Sequence, residues 1–377
     1  MARTARLSLL MLVMLVAGCI GQGRPDAWVY PVSVTEQTPS LEGSLVVIGH
    51  RTSYAILPSG LALVLDSRNG RPRASVELQK DTYRSAEVLP GGEALIAGDR
   101  CIVCIDEDGR IRWEILGDST PTAPGEVPTI ITTTSSTLLG LSATGGIVWR
   151  NAGMAHLRVT LGDVVIGLSR DGSSFAGLSI RDGSERWRNN IDQGYSLADL
   201  TSHSGRCYMA LCRDAVASSI DDLASDDWNF RPCRILSVSP DGTVDWALDL
   251  TRRFAGVELF AVEDGLLVVG QSFDHGRRGP DASSHFAVCV SYDGAEKWEL
   301  PLPPGSRCPP VSDGCSLYFA QSDGRVLRLA ADGRTDDVAQ FERGARSHLN
   351  VDLLAVVDGA VFATVNRTTL ARIPLRH

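Results

Sequence analysis

The side chains with the reach for chemistry in this 377-residue chain are nine cysteines, seven histidines and a few acidic clusters. Cys101-Ile102-Val103-Cys104 has the spacing of a redox or metal pair. Yet the run is β-rich, and in a strand residues i and i+3 point to opposite faces. No second pair accompanies it, so both cysteines read as strand residues. Asp221, Asp222, Asp226 and Asp227, beside Trp228 and Phe230, form an acidic segment that could meet a partner or a cation. It lacks the glycine-centred spacing of a Ca²⁺ loop, so it reads either as a partner loop or as a solvated one. The histidines are scattered, and no Gly-x-Ser-x-Gly elbow or His-Glu-x-x-His helix organises a nucleophile or zinc. The expectation is therefore no catalytic residue, no metal site and no cofactor.

What would position these groups is a repeat. A Gly is followed four residues later by Trp at Gly109/Trp113, Gly145/Trp149, Gly183/Trp187, Gly242/Trp246 and Gly294/Trp298. Two degenerate copies, Gly70 with Ala74 and Gly333 with Asp337, extend the series to seven. Before each Gly lies a β-rich run and after it an alternating one, such as Ile111-Arg112-Trp113-Glu114-Ile115. The turn is Asn-Gly or Asp-Gly in six copies and Thr144-Gly145 in the other, as a tight hairpin needs, because Gly tolerates positive φ. Each Trp shares a face with the isoleucines of its strand and is expected to fill the gap between one sheet and the next.

The marker glycines at 70, 109, 145, 183, 242, 294 and 333 are spaced by 39, 36, 38, 59, 52 and 39 residues. A unit near ~40 residues is the length of a four-stranded propeller blade. The two long intervals hold insertions, approximately Ala215 to Pro232 and Asp274 to Ser284, with loop-like composition. Both enter between the second and third strands of their blades, the fifth and sixth. After the seventh copy three strand-like runs remain, and the segment from Trp28 to Val34 stands before blade one without a blade of its own. Pairing that N-terminal strand with the last three makes an all-β, eight-bladed β-propeller without an exposed edge. Seven blades, with the final segment packed outside, is the alternative.

At the start of the chain, Arg3 and Arg6 precede Leu7 to Val16, an apolar run too short to span a bilayer and suited to a signal peptide. It ends in Val16-Ala17-Gly18-Cys19, which resembles the bacterial lipobox. The resemblance implies a lipoprotein signal peptide over 1–18, an acylated Cys19, a tether over 19–27 and the propeller over 28–377. Ile20, where inner-membrane retention usually shows Asp, points to outer-membrane delivery if the host has two membranes. Loss of residues 1–18 moves the net charge from −9 to −11, which argues against nucleic acid as a partner. Setting aside Cys19, eight cysteines in an exported chain invite disulfides. Cys212 with Cys233, which bracket the first insertion, and Cys308 with Cys315 are the candidate bridges, while Cys101, Cys104, Cys207 and Cys289 read as buried thiols.

The copies Leu141-Ser-Ala-Thr-Gly-Gly-Ile-Val-Trp149, Leu178-Ser-Ile-Arg-Asp-Gly-Ser-Glu-Arg-Trp187 and Val290-Ser-Tyr-Asp-Gly-Ala-Glu-Lys-Trp298 resemble the Ala-Leu-Asp-x-x-Thr-Gly-x-x-x-Trp docking motif of the pyrroloquinoline quinone (PQQ)-like propeller superfamily. The family's Ala and Asp are mostly replaced here. With the lipobox in front, the chain is most similar to the BamB-like outer-membrane assembly lipoproteins, and the resemblance implies a non-catalytic, monomeric scaffold for envelope protein partners. No contact motif carries over, and the wide insertions depart from a compact assembly factor. The superfamily also contains PQQ-dependent dehydrogenases with a vicinal Cys-Cys ring and a Ca²⁺ site. No adjacent cysteines occur here, although some sugar-oxidising propellers lack that ring, so an oxidoreductase stands as the alternative.

Overall fold

The computed structural model describes residues 28–31, 45–79, 81–116, 130–134, 137–213, 231–254, 256–273, 283–303, 306, 309–341, 351–365 and 369–375. Every helix or strand element among them is a strand. β1 (Trp28–Pro31) comes first, followed by β2 (Leu45–Ile48), β3 (Thr52–Ile56), β4 (Leu61–Asp66) and β5 (Pro72–Glu77) in one sheet. The second sheet is β6 (Tyr83–Val88), β7 (Ala94–Gly98), β8 (Cys101–Ile105) and β9 (Ile111–Leu116). The third shows three described strands, β10 (Ile130–Thr134), β11 (Thr137–Leu141) and β12 (Ile147–Asn151). The fourth is β13 (Met154–Leu161), β14 (Val164–Ser169), β15 (Ser174–Ser179) and β16 (Glu185–Asn190). The fifth is β17 (Tyr195–His203), β18 (Arg206–Arg213), β19 (Arg231–Val238) and β20 (Val244–Phe254). The sixth is β21 (Gly256–Val262), β22 (Gly265–Phe273), β23 (Ser283–Val290) and β24 (Glu296–Pro301). The seventh is β25 (Val311–Ser312), β26 (Ser316–Ala320), β27 (Arg325–Ala330) and β28 (Thr335–Gln340). β29 (Val351–Val357), β30 (Ala360–Val365) and β31 (Thr369–Pro374) belong to the eighth.

β1 completes that eighth sheet, pairing antiparallel with β31 from Trp28 opposite Arg372 to Pro31 opposite Thr369. The fold is thus an eight-bladed β-propeller of antiparallel sheets, with the last blade closed by the chain's first strand. The seven-blade alternative is discarded, because the segment after the seventh copy is itself a blade.

The chain divides into two compact units. One comprises 1–116, 305–330 and 334–377, and the other 117–304 with 331–333. In the first, Tyr54, Ile56, Ile96 and Val103 share a core between blades one and two. Tyr318, Val326, Val361 and Ala371 do the same between blades seven and eight. In the second, Val159, Phe175, Met209 and Val238 join blades four and five, and Tyr208, Phe254, Val268 and Phe286 join blades five and six. The hydrophobic effect therefore acts between sheets rather than within them.

Strand position explains the sequence pattern. Middle strands such as β8 and β15 are buried throughout and read as continuous apolar runs. Outer strands such as β16 and β24 alternate between exposed and half-buried. One expectation is corrected here: Ile111 is 41% exposed and does not share a buried face with Ile115, which is 8% exposed. A bulge at Arg112, where Ile105 opposes Ile111 but Cys104 opposes Trp113, interrupts the alternation. The same slip precedes Ala74, Trp149, Trp187, Trp246 and Trp298. In the copy with Asp337 the skipped residue is Val338, just after the Trp place rather than just before it.

Candidate functional site

Each hairpin turn sets up the next contact. At Ser239-Pro240-Asp241-Gly242 the amide of Gly242 donates to the Ser239 carbonyl at 3.0 Å, and the Asp241 carboxylate accepts the Thr243 amide at 3.1 Å. Gly242 then takes φ +88°, a conformation that a Cβ would strain. Its bare face receives the indole of Trp187 from the preceding blade, whose Nε1 donates to the Pro240 carbonyl at 2.7 Å. The relation recurs. Trp149 covers Gly183 and donates to Ile180 O at 2.6 Å, and Trp246 covers Gly294 and donates to Tyr292 O at 3.0 Å. Trp298 lies against Gly333 and donates to Ala331 O at 2.9 Å. In blade one, Ala74 in the Trp place touches Gly109. Asn151 and Asn189, each two residues past a Trp, donate to the carbonyls of the same glycines, Gly183 and Gly242. The indoles are inter-blade locks, and their polar edge is already engaged.

A second feature departs from the repeat. In blade four the second and third strands run six residues each, whereas β18, β19, β22 and β23 run eight, eight, nine and eight. Blades five and six thus extend in the same direction, towards segments 214–230 and 274–282, and strand pairing reaches into the insertion boundaries, to Arg231 and Ser283. The extension is packed. Phe254 is 1% exposed, and its ring comes within 2.8 Å of where a Cβ on Gly270 would stand. The Arg252 guanidinium lies 3.6 Å over the Phe286 ring, while its Nε donates to Glu299 at 2.7 Å. The half-buried ion pair joins the outer strands β20 and β24, and the cation–π contact joins β20 to the third strand, β23. Arg234, stacked over Tyr195, bonds Asp249 at 2.7 Å and Asp192 at 2.8 Å, and its hydrogen bond holds the Asp249 carboxyl below its ordinary range. Arg213 closes β18, Arg231 opens β19 and Arg253 is the last residue but one of β20, so this edge of the sheet carries basic residues.

Cys212 and Cys233 lie directly opposite each other across β18 and β19 and hydrogen-bond each other as thiols. Cys315 is an exposed thiol, and Cys308 lies outside the described residues. Cys101 and Cys104 take opposite faces of β8. Cys101 donates to Asp81 at 3.3 Å with its thiol pushed up to about 12, chiefly by burial, and burial also pushes Cys104, opposite Trp113, up to about 11. On β21, Glu258 is pushed up to about 7 by burial and then by the Asp199 charge, and its Oε2 is buried without a hydrogen-bond partner. Sequence reasoning missed this residue, because a single Glu in an apolar strand carries no spacing signal. Among the described residues no three His, Cys, Asp or Glu side chains are arranged to hold a metal ion. Cys19, Asp221, Asp222, Asp226, Asp227 and Trp228 lie outside the described residues.

The fold defines a β-propeller, and its Gly-to-Trp repeats are similar to the docking motif of PQQ-like propellers. Residues 86–217 match the family described as outer membrane protein assembly factor BamB. Among solved structures, the chain is similar to BamB from Moraxella catarrhalis, at 17% identity and a TM-score of 0.58 over 93% of this chain and 98% of that one. It is also similar to Saccharomyces cerevisiae Sqt1, at 9% identity and a TM-score of 0.60 over 93% and 99% of the two chains. A computationally designed protein, Ika8, aligns at 13% identity and a TM-score of 0.52 over 88% and 98%. At these identities the likeness is one of fold. No curated protein sequence matches the chain.

Proposed function

We propose that this protein is a non-catalytic, BamB-like binding scaffold of a bacterial envelope, held at the membrane by acylated Cys19, which captures protein partners through the joined ends of blades five and six. The observation that supports this most is the extension itself. Two neighbouring blades lengthen their middle strands in the same direction, lock together through Arg252, Phe286 and Glu299, and each have a long insertion between their second and third strands. Loops raised on a rigid sheet edge are where binding residues concentrate. The match of residues 86–217 to an outer-membrane assembly factor supports an envelope role.

The test replaces 214–230 and 274–282 with short turns, verifies the fold by thermal unfolding, and cross-links partners in intact membranes. Capture is expected to disappear; undiminished capture by the folded variant rejects the reading. Cys19→Ser is expected to abolish incorporation of labelled palmitate and release the protein from membranes. The non-catalytic part is tested by adding PQQ and Ca²⁺ with alcohols or sugars and an artificial electron acceptor, where no turnover is expected.

A further inference from the structure

We infer that Cys212 and Cys233 are a built cystine site, a cross-strand bond that staples β18 to β19 where segment 214–230 leaves the sheet. The inference stands on geometry and does not depend on the scaffold reading. Residues directly opposite in an antiparallel pair have Cα atoms ~4.5 to 5.5 Å apart, within the span that a disulfide accepts. Cys212 and Cys233 hold that register and already hydrogen-bond each other. Among the described cysteines no other two face each other. Cys207 opposes Ser202 and Val238, Cys289 opposes Leu267 and Trp298, and Cys101 and Cys104 lie on opposite faces of one strand.

Bond formation is a two-step exchange, in which the Cys212 thiolate attacks the disulfide of a thiol–disulfide oxidoreductase or of oxidised glutathione, forming a mixed disulfide and expelling one thiol of the oxidant. Cys233 then loses its proton and attacks the Cys212 sulfur, expelling the second thiol. Two protein thiols give up two electrons and two protons, and one oxidant disulfide becomes two thiols. With the two residues 7% and 1% exposed, the bond forms while the strands are still pairing, before the core closes over them.

The experiment uses the full chain, exported and also refolded with oxidised glutathione, alkylated under denaturing conditions without reductant and digested with trypsin. Cys212 falls in the peptide Cys207–Arg213 and Cys233 in 214–234, since the Arg231-Pro232 bond resists cleavage. The expected product is these two peptides joined, about 2 Da lighter than their sum for the two hydrogens lost, with Cys207 alkylated and fragment ions placing the link at Cys212. Reductant is expected to lower the unfolding midpoint of the wild type by roughly a few degrees and to leave Cys212→Ala/Cys233→Ala unmoved. Recovery of both cysteines alkylated after both treatments, or a link through Cys207, overturns the assignment.

Discussion

The indole of Trp187 rests on the bare α-carbon of Gly242 in the following blade, with its Cδ2 2.6 Å from where a Cβ would stand and its Nε1 bonded to Pro240 O. Two demands meet at that glycine, a positive φ and an absent side chain, and they can be separated by mutation.

Gly242→Ala is expected to cost both backbone strain and an indole displaced from its seat, about 2 to 4 kcal/mol in all. Gly205, at φ +74° with open space where its Cβ would lie, isolates the first cost, and Gly205→Ala should lose only about 1 kcal/mol. Urea midpoints of the two variants check this. Equal losses would mean that the indole yields without penalty.

Trp149 is 5% exposed, packed over Gly140 and Gly183, and donates to Ile180 O. Trp149→Ala should therefore destabilise by about 3 to 5 kcal/mol, at the top of the range for large core truncations. Trp149→Phe, which keeps much of the area and loses the donor, should cost about 1 to 2 kcal/mol. Chemical denaturation of both variants measures the difference.

Glu258 provides a pH signature. Its carboxyl is pushed up to about 7 in the folded chain, first by burial and then by Asp199, so the folded state holds this proton more tightly than the unfolded one. That contribution is fully present below the unfolded value and is lost as pH rises through about 7. Glu258→Gln, which keeps the neutral shape, should match the wild type near pH 4 and exceed it at pH 8 by on the order of 1 kcal/mol, with solvent screening allowed for. A stability difference that does not change with pH would remove Glu258 as the cause.

Arg252 joins blades five and six by lying over Phe286 and pairing with Glu299. A double-mutant cycle between Arg252→Ala and Glu299→Ala should show coupling of about 1 kcal/mol, since both side chains are only partly exposed. Arg252→Lys should recover little of the loss, because an ammonium does not reproduce the planar guanidinium that stacks on the ring while bonding the carboxylate.

Much of the blade was legible from residue order because its determinants are local. A Gly in a positive-φ turn and a Trp four residues later are set by neighbours a few bonds apart, and counting strand-like runs was enough to assign β1 to the last blade. The bulge at Arg112 and its equivalents was hidden, because period two is a property of an undisturbed strand and a one-residue slip arises only when the partner strand is present. The slip keeps its place in the copy with Ala74 but moves past Asp337 in the seventh, so the indole by itself does not set that register.

The candidate site divides in the same way. That two insertions enter blades five and six between second and third strands follows from repeat spacing alone, and so does the presence of a cysteine on either side of the first. Only the tertiary structure decided that Cys212 faces Cys233, that Arg252 reaches Glu299 in the next blade, and that Glu258 is buried beside Asp199. Chain order determines which turns and strands form, because their energetics are settled within a few residues. Which side chains meet across sheets depends on how far each strand extends and where it slips, quantities set by packing against partners tens of residues away.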